Sequence, residues 1–411
     1  MNKKLVVLPF FLIWYTLLFS QNLIYVRGVI DTLSSPDFFG RGYVNNGDKI
    51  ASDFIVKQLK KDNLKQFDTS YLQRFGISVN TFPGLLDLKI NNISVQPGID
   101  YLVLPDAQTV KKTYGAIVLN GKTAQSGELK NLKNVALVVD TGFKDLNCPS
   151  IKDAPLILFI KDKEITWESS QSQNTKKHVE VIINRNAIPK KISKISIDIN
   201  AQLIKNYQTQ NVIGYIPGKL YPDTFVVFGA HYDHLGMMGN KTYFPGANDN
   251  ASGTAMLLDL AAYYSNPANQ PEYSMAFIFF AGEELGLLGS EYYTNHPVFP
   301  LKKIKFMLNL DMVGTGSDGI KVVNGSIFKK EFELLKQLNE TGKFLKSVNV
   351  RGEAANSDHY FYYEKGVKCF FIYTLGNEYK EYHTLADKAM GLPLTKYPEL
   401  FQLVLSFVKS L

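Results

Sequence analysis

The chain is poor in cysteine. Only Cys148 and Cys369 occur in 411 residues, which excludes a disulfide-stapled scaffold. Cys369 lies in the apolar run VKCFFIYT, and the reading favoured for it is a buried free thiol. Blocks of one charge sign are also missing. The net charge of +7, two units of which are Lys3 and Lys4, is dispersed along the chain. Without a Lys/Arg cluster there is no footprint for nucleic acid. There is no internal repeat and no low-complexity segment, so solenoid and linker architectures are set aside. Beyond Phe19 no apolar run is long enough to span a bilayer. Histidine is scarce, six in all, so the place of each one carries information.

A hydrophobic fraction of 45% and a charged fraction of 20% are those of an ordinary globular protein. The length favours one large domain plus a smaller one. MNKKLVVLPFFLIWYTLLFSQN has a basic start and an apolar run of about 15 residues, short for a membrane span. It reads as a signal peptide over residues 1–20, implying a secreted or periplasmic protein with no membrane attachment after cleavage. No cysteine stands near the cleavage point to carry a lipid anchor. Residues 46–62 have helical periodicity, and LLDLKINNISV (85–95) alternates like strands. Short β-like runs separated by Lys-, Ser- and Asn-rich turns follow, and the segment 103–205 reads as a mostly β insert. From residue 206 the pattern becomes strand, helix, strand, helix, with strands apolar on both faces. The expected fold is α/β: a mainly parallel mixed sheet covered by helices, formed by 21–102 and 206–411 around the insert.

In such sheets ligands bind beyond the carboxyl ends of the strands. FVVFGA runs into His231, Tyr232 and Asp233; the next loop, GANDNASG, carries Asp249. AFIFFAG is followed by Glu283 and Glu284, FMLNL by Asp311, and CFFIYT by a loop leading to His383 and Asp387. Taken singly, each has a plain structural reading: a solvated loop, a helix-opening carboxylate, a satisfied histidine. Together they place two imidazoles and several carboxylates where the fold builds a site. Asp249, Glu284 and Asp311 in one pocket would repel one another, and two divalent cations would remove that repulsion. Imidazole and carboxylate donors suit zinc, with manganese or cobalt as alternatives. Two metals need one bridging carboxylate, and Asp233 is expected to accept the second ring N–H of His231. His234 and Glu291 read as bystanders, a solvated loop histidine and a surface or capping residue.

GAHYDHLG, GANDNASG, AGEELGLLGS, NLDMVG and YHTLADK, in that order, resemble the secreted dizinc aminopeptidase family. Its relatives include bacterial leucyl aminopeptidases, glutamate carboxypeptidase, glutaminyl cyclase and the transferrin receptor. The resemblance covers about 206–390 and extends weakly to LSSPDFFGRGYVNNGDKIASDFI; the insert resembles a protease-associated domain. It implies that His231 and Asp311 hold one Zn2+, that Glu284 and His383 hold the other, and that Asp249 bridges them. It also implies a cis peptide at Asp249–Asn250, Glu283 as general base and Asp233 as the support of His231. In NSDHYF, Asp358 and His359 become candidates for packing or substrate contact. The function implied is peptide hydrolysis at N-terminal residues. The alternatives on the same fold are a one-zinc glutaminyl cyclase, whose relatives lack the DNASG and GLLGS texture, and a receptor-like module that has lost its ligands.

Overall fold

The computed structural model describes residues 22–121, 129, 131–143, 149–169 and 172–411. The signal-peptide segment and Cys148 therefore lie outside the described residues. Eight strands form the first sheet: β1 (Leu72–Thr81), β2 (Gln202–Ile216), β3 (Tyr221–His231), β4 (Tyr273–Phe280), β5 (Ile304–Leu310), β6 (Gly319–Val323), β7 (Val348–Val350) and β8 (Cys369–Leu375). Their spatial order is β1-β2-β4-β3-β5-β8-β6-β7. The four central strands, β4-β3-β5-β8, are mutually parallel, while β1, β2 and β6 join antiparallel. The sheet is mixed, with its parallel part in the middle.

Those central strands are the continuously apolar runs, because each has both faces covered. Val226, Phe228, Phe277 and Leu308 point into a core shared with the helices Leu23–Leu33, Gly253–Ser265 and Tyr397–Lys409. Val227, Ile278, Phe280 and Met307 point to the other side, where Tyr293 and Tyr362 close the layer. The helix Gly253–Ser265 is buried on nearly every side, which is why its sequence has little amphipathic contrast.

The second sheet also has eight strands, and all of them fall between Leu86 and Ile199. Leu86–Ile90, Ile93–Val95 and Tyr101–Val103 belong to it, although the boundary between 102 and 103 assigned all of these residues except Val103 to the main domain. Alternating strands of this kind do not reveal their sheet, because pairing is decided by partners far away: Leu86–Ile90 pairs with Lys194–Ile199. Phe82, Trp167, Met238 and Phe244 share one apolar cluster where the two sheets' units meet, with Trp167 stacked on Phe244 at 4.9 Å. Cys369 is a buried free thiol, which donates to the His359 carbonyl at 3.4 Å.

Candidate metal centre

The strand ends converge as their order requires. His231 is the last residue of β3, Asp311 directly follows β5, and Glu283 and Glu284 follow β4, the strands on either side of β3. His231 Nε2 lies 3.3 Å from Asp311 Oδ1 and 3.4 Å from Asp249 Oδ1. The other Asp249 oxygen, Oδ2, lies 3.1 Å from His383 Nε2, which is 3.3 Å from Glu284 Oε2. Asp249 thus stands between two imidazoles, each flanked by one further carboxylate. All five residues are buried, and the half-buried Glu283 stands beside them with its Oε2 4.0 Å from His231 Nε2. The Asp249–Asn250 peptide is cis.

The loop carrying Asp249 is held from below by two groups, Asp387, which the sequence placed after a strand without a role, and Arg41, which it did not single out. Asp387 accepts from the amides of Asn248 (2.8 Å) and Asp249 (3.1 Å), and the Tyr379 hydroxyl donates to it at 2.9 Å. Arg41 is 0% exposed and donates to five main-chain carbonyls, those of Leu33, Tyr232, Pro245, Gly246 and Asp249. Burial pushes its guanidinium down to about 10 against the pull of Asp387, Asp249, Asp233 and Glu284. It remains a cation at neutral pH under an acidic pocket. Ser357 does similar work for Asp311: its hydroxyl donates to Oδ2 at 2.9 Å and accepts from Asn309 at 2.8 Å.

Two expectations change. Asp233 was to receive the second ring N–H of His231, but the Nδ1 atom lies 3.2 Å from the Asp233 carbonyl and 3.8 Å from its carboxylate. The Asp233 side chain instead accepts from the amides of Glu283 (3.2 Å) and Glu284 (3.4 Å), so it positions both glutamates. His234, read as a solvated bystander, is 1% exposed, with Nδ1 2.7 Å from Glu284 Oε1. Its ring lies close against the backbone of Gly246, where an added Cβ would fall 2.4 Å from His234 Cδ2, and that approach is not written in the local sequence. Glu291 is an exposed residue in the first turn of the helix Leu288–Asn295. Asp358 and His359 are buried beside Asp311's partner Ser357; burial lifts the Asp358 carboxyl to about 7 and depresses the His359 imidazole to about 3.

The adjacent glutamates are driven apart. Burial raises both carboxyls, but His383 and His234 overcome it at Glu284 and hold that group down near 2. Glu283 has only His231 to oppose burial and the repulsion of Glu284, Asp358 and Asp311, and its carboxyl stays well above the usual range. Neighbouring carboxyls with opposed shifts divide the labour: one is a permanent anion, the other can carry a proton. Burial lowers the imidazoles less than the surrounding carboxylates raise them, so His383 is pushed up to about 12 and His231 also ends well above its ordinary value. The surplus of carboxylates in the pocket favours positive charge there.

The site fits divalent metal. His231, Asp249 and Asp311 have donor atoms within 4.8 Å of one another, and so do His234, Asp249 and Glu284. Asp311 Oδ1 is buried with no hydrogen-bond partner among the described residues, a lone pair aimed into the pocket. Hard oxygen and imidazole donors with no thiolate match zinc-like ions.

Fold and site define an α/β protein with an imidazole–carboxylate metal pocket at the carboxyl ends of its parallel strands. Residues 211–408 match the model of Peptidase family M28, so the resemblance read from the motifs holds over that segment. Over 113 residues, 27% of the chain, it is 42% identical to Aminopeptidase YwaD of Bacillus subtilis, covering 23% of that protein. Over 212 residues, 50% of the chain, it is 31% identical to a probable leucine aminopeptidase of Arthroderma otae, covering 58% of it. The matches therefore span less than two thirds of these relatives' length. In structure the chain superposes on a zinc aminopeptidase from Bacillus subtilis with a TM-score of 0.71 at 21% identity, covering 94% of each chain. That agreement is one of fold, and it includes both sheets' share of the chain.

Proposed function

We propose that the protein is a zinc-dependent exopeptidase, an aminopeptidase that removes N-terminal residues from peptides using two Zn2+. The observation that supports this most is the position of Asp249, one carboxylate shared between two imidazole–carboxylate pairs. In this reading His231 and Asp311 would hold one ion, Glu284 and His383 would hold the other, and Asp249 would be shared between them. When bound, the two ions acidify a water and polarise the scissile carbonyl.

The chain's own groups do the rest. Glu283, whose Oε2 lies 4.0 Å from His231 Nε2, would take the water proton on its carboxylate and return it to the leaving amine. Asp233 keeps Glu283 aimed by holding its amide. Burial excludes bulk water, which strengthens the attraction between the acidic pocket and the α-ammonium of a peptide N-terminus. Named YwaD and leucine aminopeptidase, the relatives support the same substrate class. The second sheet is read as a protease-associated-like unit, and the N-terminal segment as the signal for export to the periplasm or beyond.

Hydrolysis of leucine p-nitroanilide by the purified mature protein, before and after dialysis against chelator, tests the proposal. Activity should vanish on stripping and return with zinc. Full activity in stripped protein would end the zinc reading, and cyclisation of N-terminal glutamine without hydrolysis would point to the transferase alternative.

A further inference from the structure

The two imidazoles read as zinc ligands, His231 and His383, differ in how their outer ring nitrogens are served. His231 Nδ1 has the Asp233 carbonyl at 3.2 Å, within its own unit. His383 directs Nε2 at Asp249 and Glu284, which leaves the ring proton on Nδ1. That Nδ1 is buried and has no hydrogen-bond partner among the described residues. A buried N–H without an acceptor costs about 1–3 kcal/mol. The carboxylate beside it is Glu168 Oε1, at 3.8 Å.

Glu168 does not come from the peptidase sheet. It lies on the connection between the second-sheet strands Leu156–Lys161 and Val179–Asn184. The residues around it are tied to the ligand loops: the Trp167 amide donates to the His383 carbonyl at 3.1 Å, and the Ser169 hydroxyl donates to the Glu284 carbonyl at 2.8 Å. Gln173 adds a bond to the Leu285 carbonyl at 2.6 Å. The Trp167 ring is fixed by its stack on Phe244 and its indole bond to the Val103 carbonyl. Between these anchors the Glu168 side chain is 61% exposed. A shift of about 1 Å brings its oxygen to hydrogen-bonding distance of Nδ1.

We propose that Glu168 is the positioning residue for His383, so that the second-sheet unit completes the half-site formed by His383 and Glu284. An imidazole that ligates metal is oriented and made more basic by an acceptor on its other nitrogen. His383 takes that acceptor from across the unit boundary. The inference rests on the two-zinc reading above and adds that one zinc depends on the inserted unit.

The test is competition titration of the full mature chain against a chromophoric zinc chelator, comparing wild type, Glu168→Ala and Glu168→Gln. The expected result for Glu168→Ala is a loss of about 10–100-fold in affinity for one of two zinc ions, with the other unchanged. Glu168→Gln, which keeps an acceptor oxygen at the same reach, should recover part of that loss. Because the side chain is exposed, the melting temperature of metal-free protein should not move, whereas a merely structural role would lower it. Wild-type affinity at both sites in Glu168→Ala overturns the proposal and leaves the zinc peptidase reading intact. Equal weakening of both sites together with a lower metal-free melting temperature also overturns it. Wild-type protein that retains no zinc overturns both readings, while selective zinc loss in a protein that hydrolyses no peptide keeps this inference and removes the activity.

Discussion

Arg41→Lys isolates the work of one buried guanidinium. Arg41 has φ +52°, a left-handed backbone, and lysine keeps the same Cβ, so the backbone term does not change. What changes is the donor count. Arg41 bonds to five carbonyls at 2.7–3.1 Å, and a lysine ammonium has three donors. At least two carbonyls, in a region with no access to water, lose their partner. At about 1–3 kcal/mol for each buried group left unsatisfied, the loss is about 2–6 kcal/mol. A domain is typically stable by about 5–15 kcal/mol, so the variant should be folded but clearly weakened. Two of the carbonyls, Gly246 and Asp249, belong to the loop that presents the central carboxylate, so zinc affinity should fall as well. Urea unfolding of the metal-free protein, with the midpoint and slope followed by circular dichroism, measures the first effect, and chelator competition measures the second. A variant within 1 kcal/mol of wild type would refute the claim that the five bonds are matched to the guanidinium.

Glu283→Gln should keep zinc bound and lose about 100- to 10,000-fold in kcat, since the amide cannot take a proton; unchanged turnover would remove its role as base. Asp249→Ala should lose metal from both half-sites, which elemental analysis of the purified variant checks directly. Asp259 supplies a pH effect remote from the metal. Burial, with Asp62 adding repulsion and the Asn22 amide opposing, raises its carboxyl from 3.8 to about 7. The folded state therefore holds the proton more tightly than the unfolded one. Stability is greatest below pH 4, falls as pH rises to 7 and is flat above, by at most about 4 kcal/mol. Asp259→Asn should accordingly be more stable than wild type at pH 8 and nearly equal to it at pH 4, and an equal difference at both values would contradict the assignment.

Much of the pocket was legible because its pattern is local. Each metal-ligand candidate except His383, which lies at the end of a loop, follows its own apolar run or opens a helix, and a parallel sheet brings strand ends together whatever the details of packing. His231, Asp311 and the Glu283–Glu284 pair were readable for that reason, and Asp249 from its loop before a helix. Arg41 and Ser357 act on carbonyls and a carboxylate from distant stretches, and nothing in their own neighbourhoods announces the partner; Asp387 was visible after its strand, but its amide partners were not. Asp233 was found, but its carboxylate turned out to serve two amides on another strand end, a choice set by angles that spacing does not encode.

By itself, then, the sequence determined the α/β pattern, the helices on either face and the residues at the strand ends, because periodicity and strand termini depend on neighbours a few positions away. Tertiary structure alone decided where the second sheet begins, that His234 is buried against Glu284, and that Glu168 approaches His383 from another unit. Those facts depend on which surfaces meet, and contacts between residues far apart in the chain leave no trace in its local order.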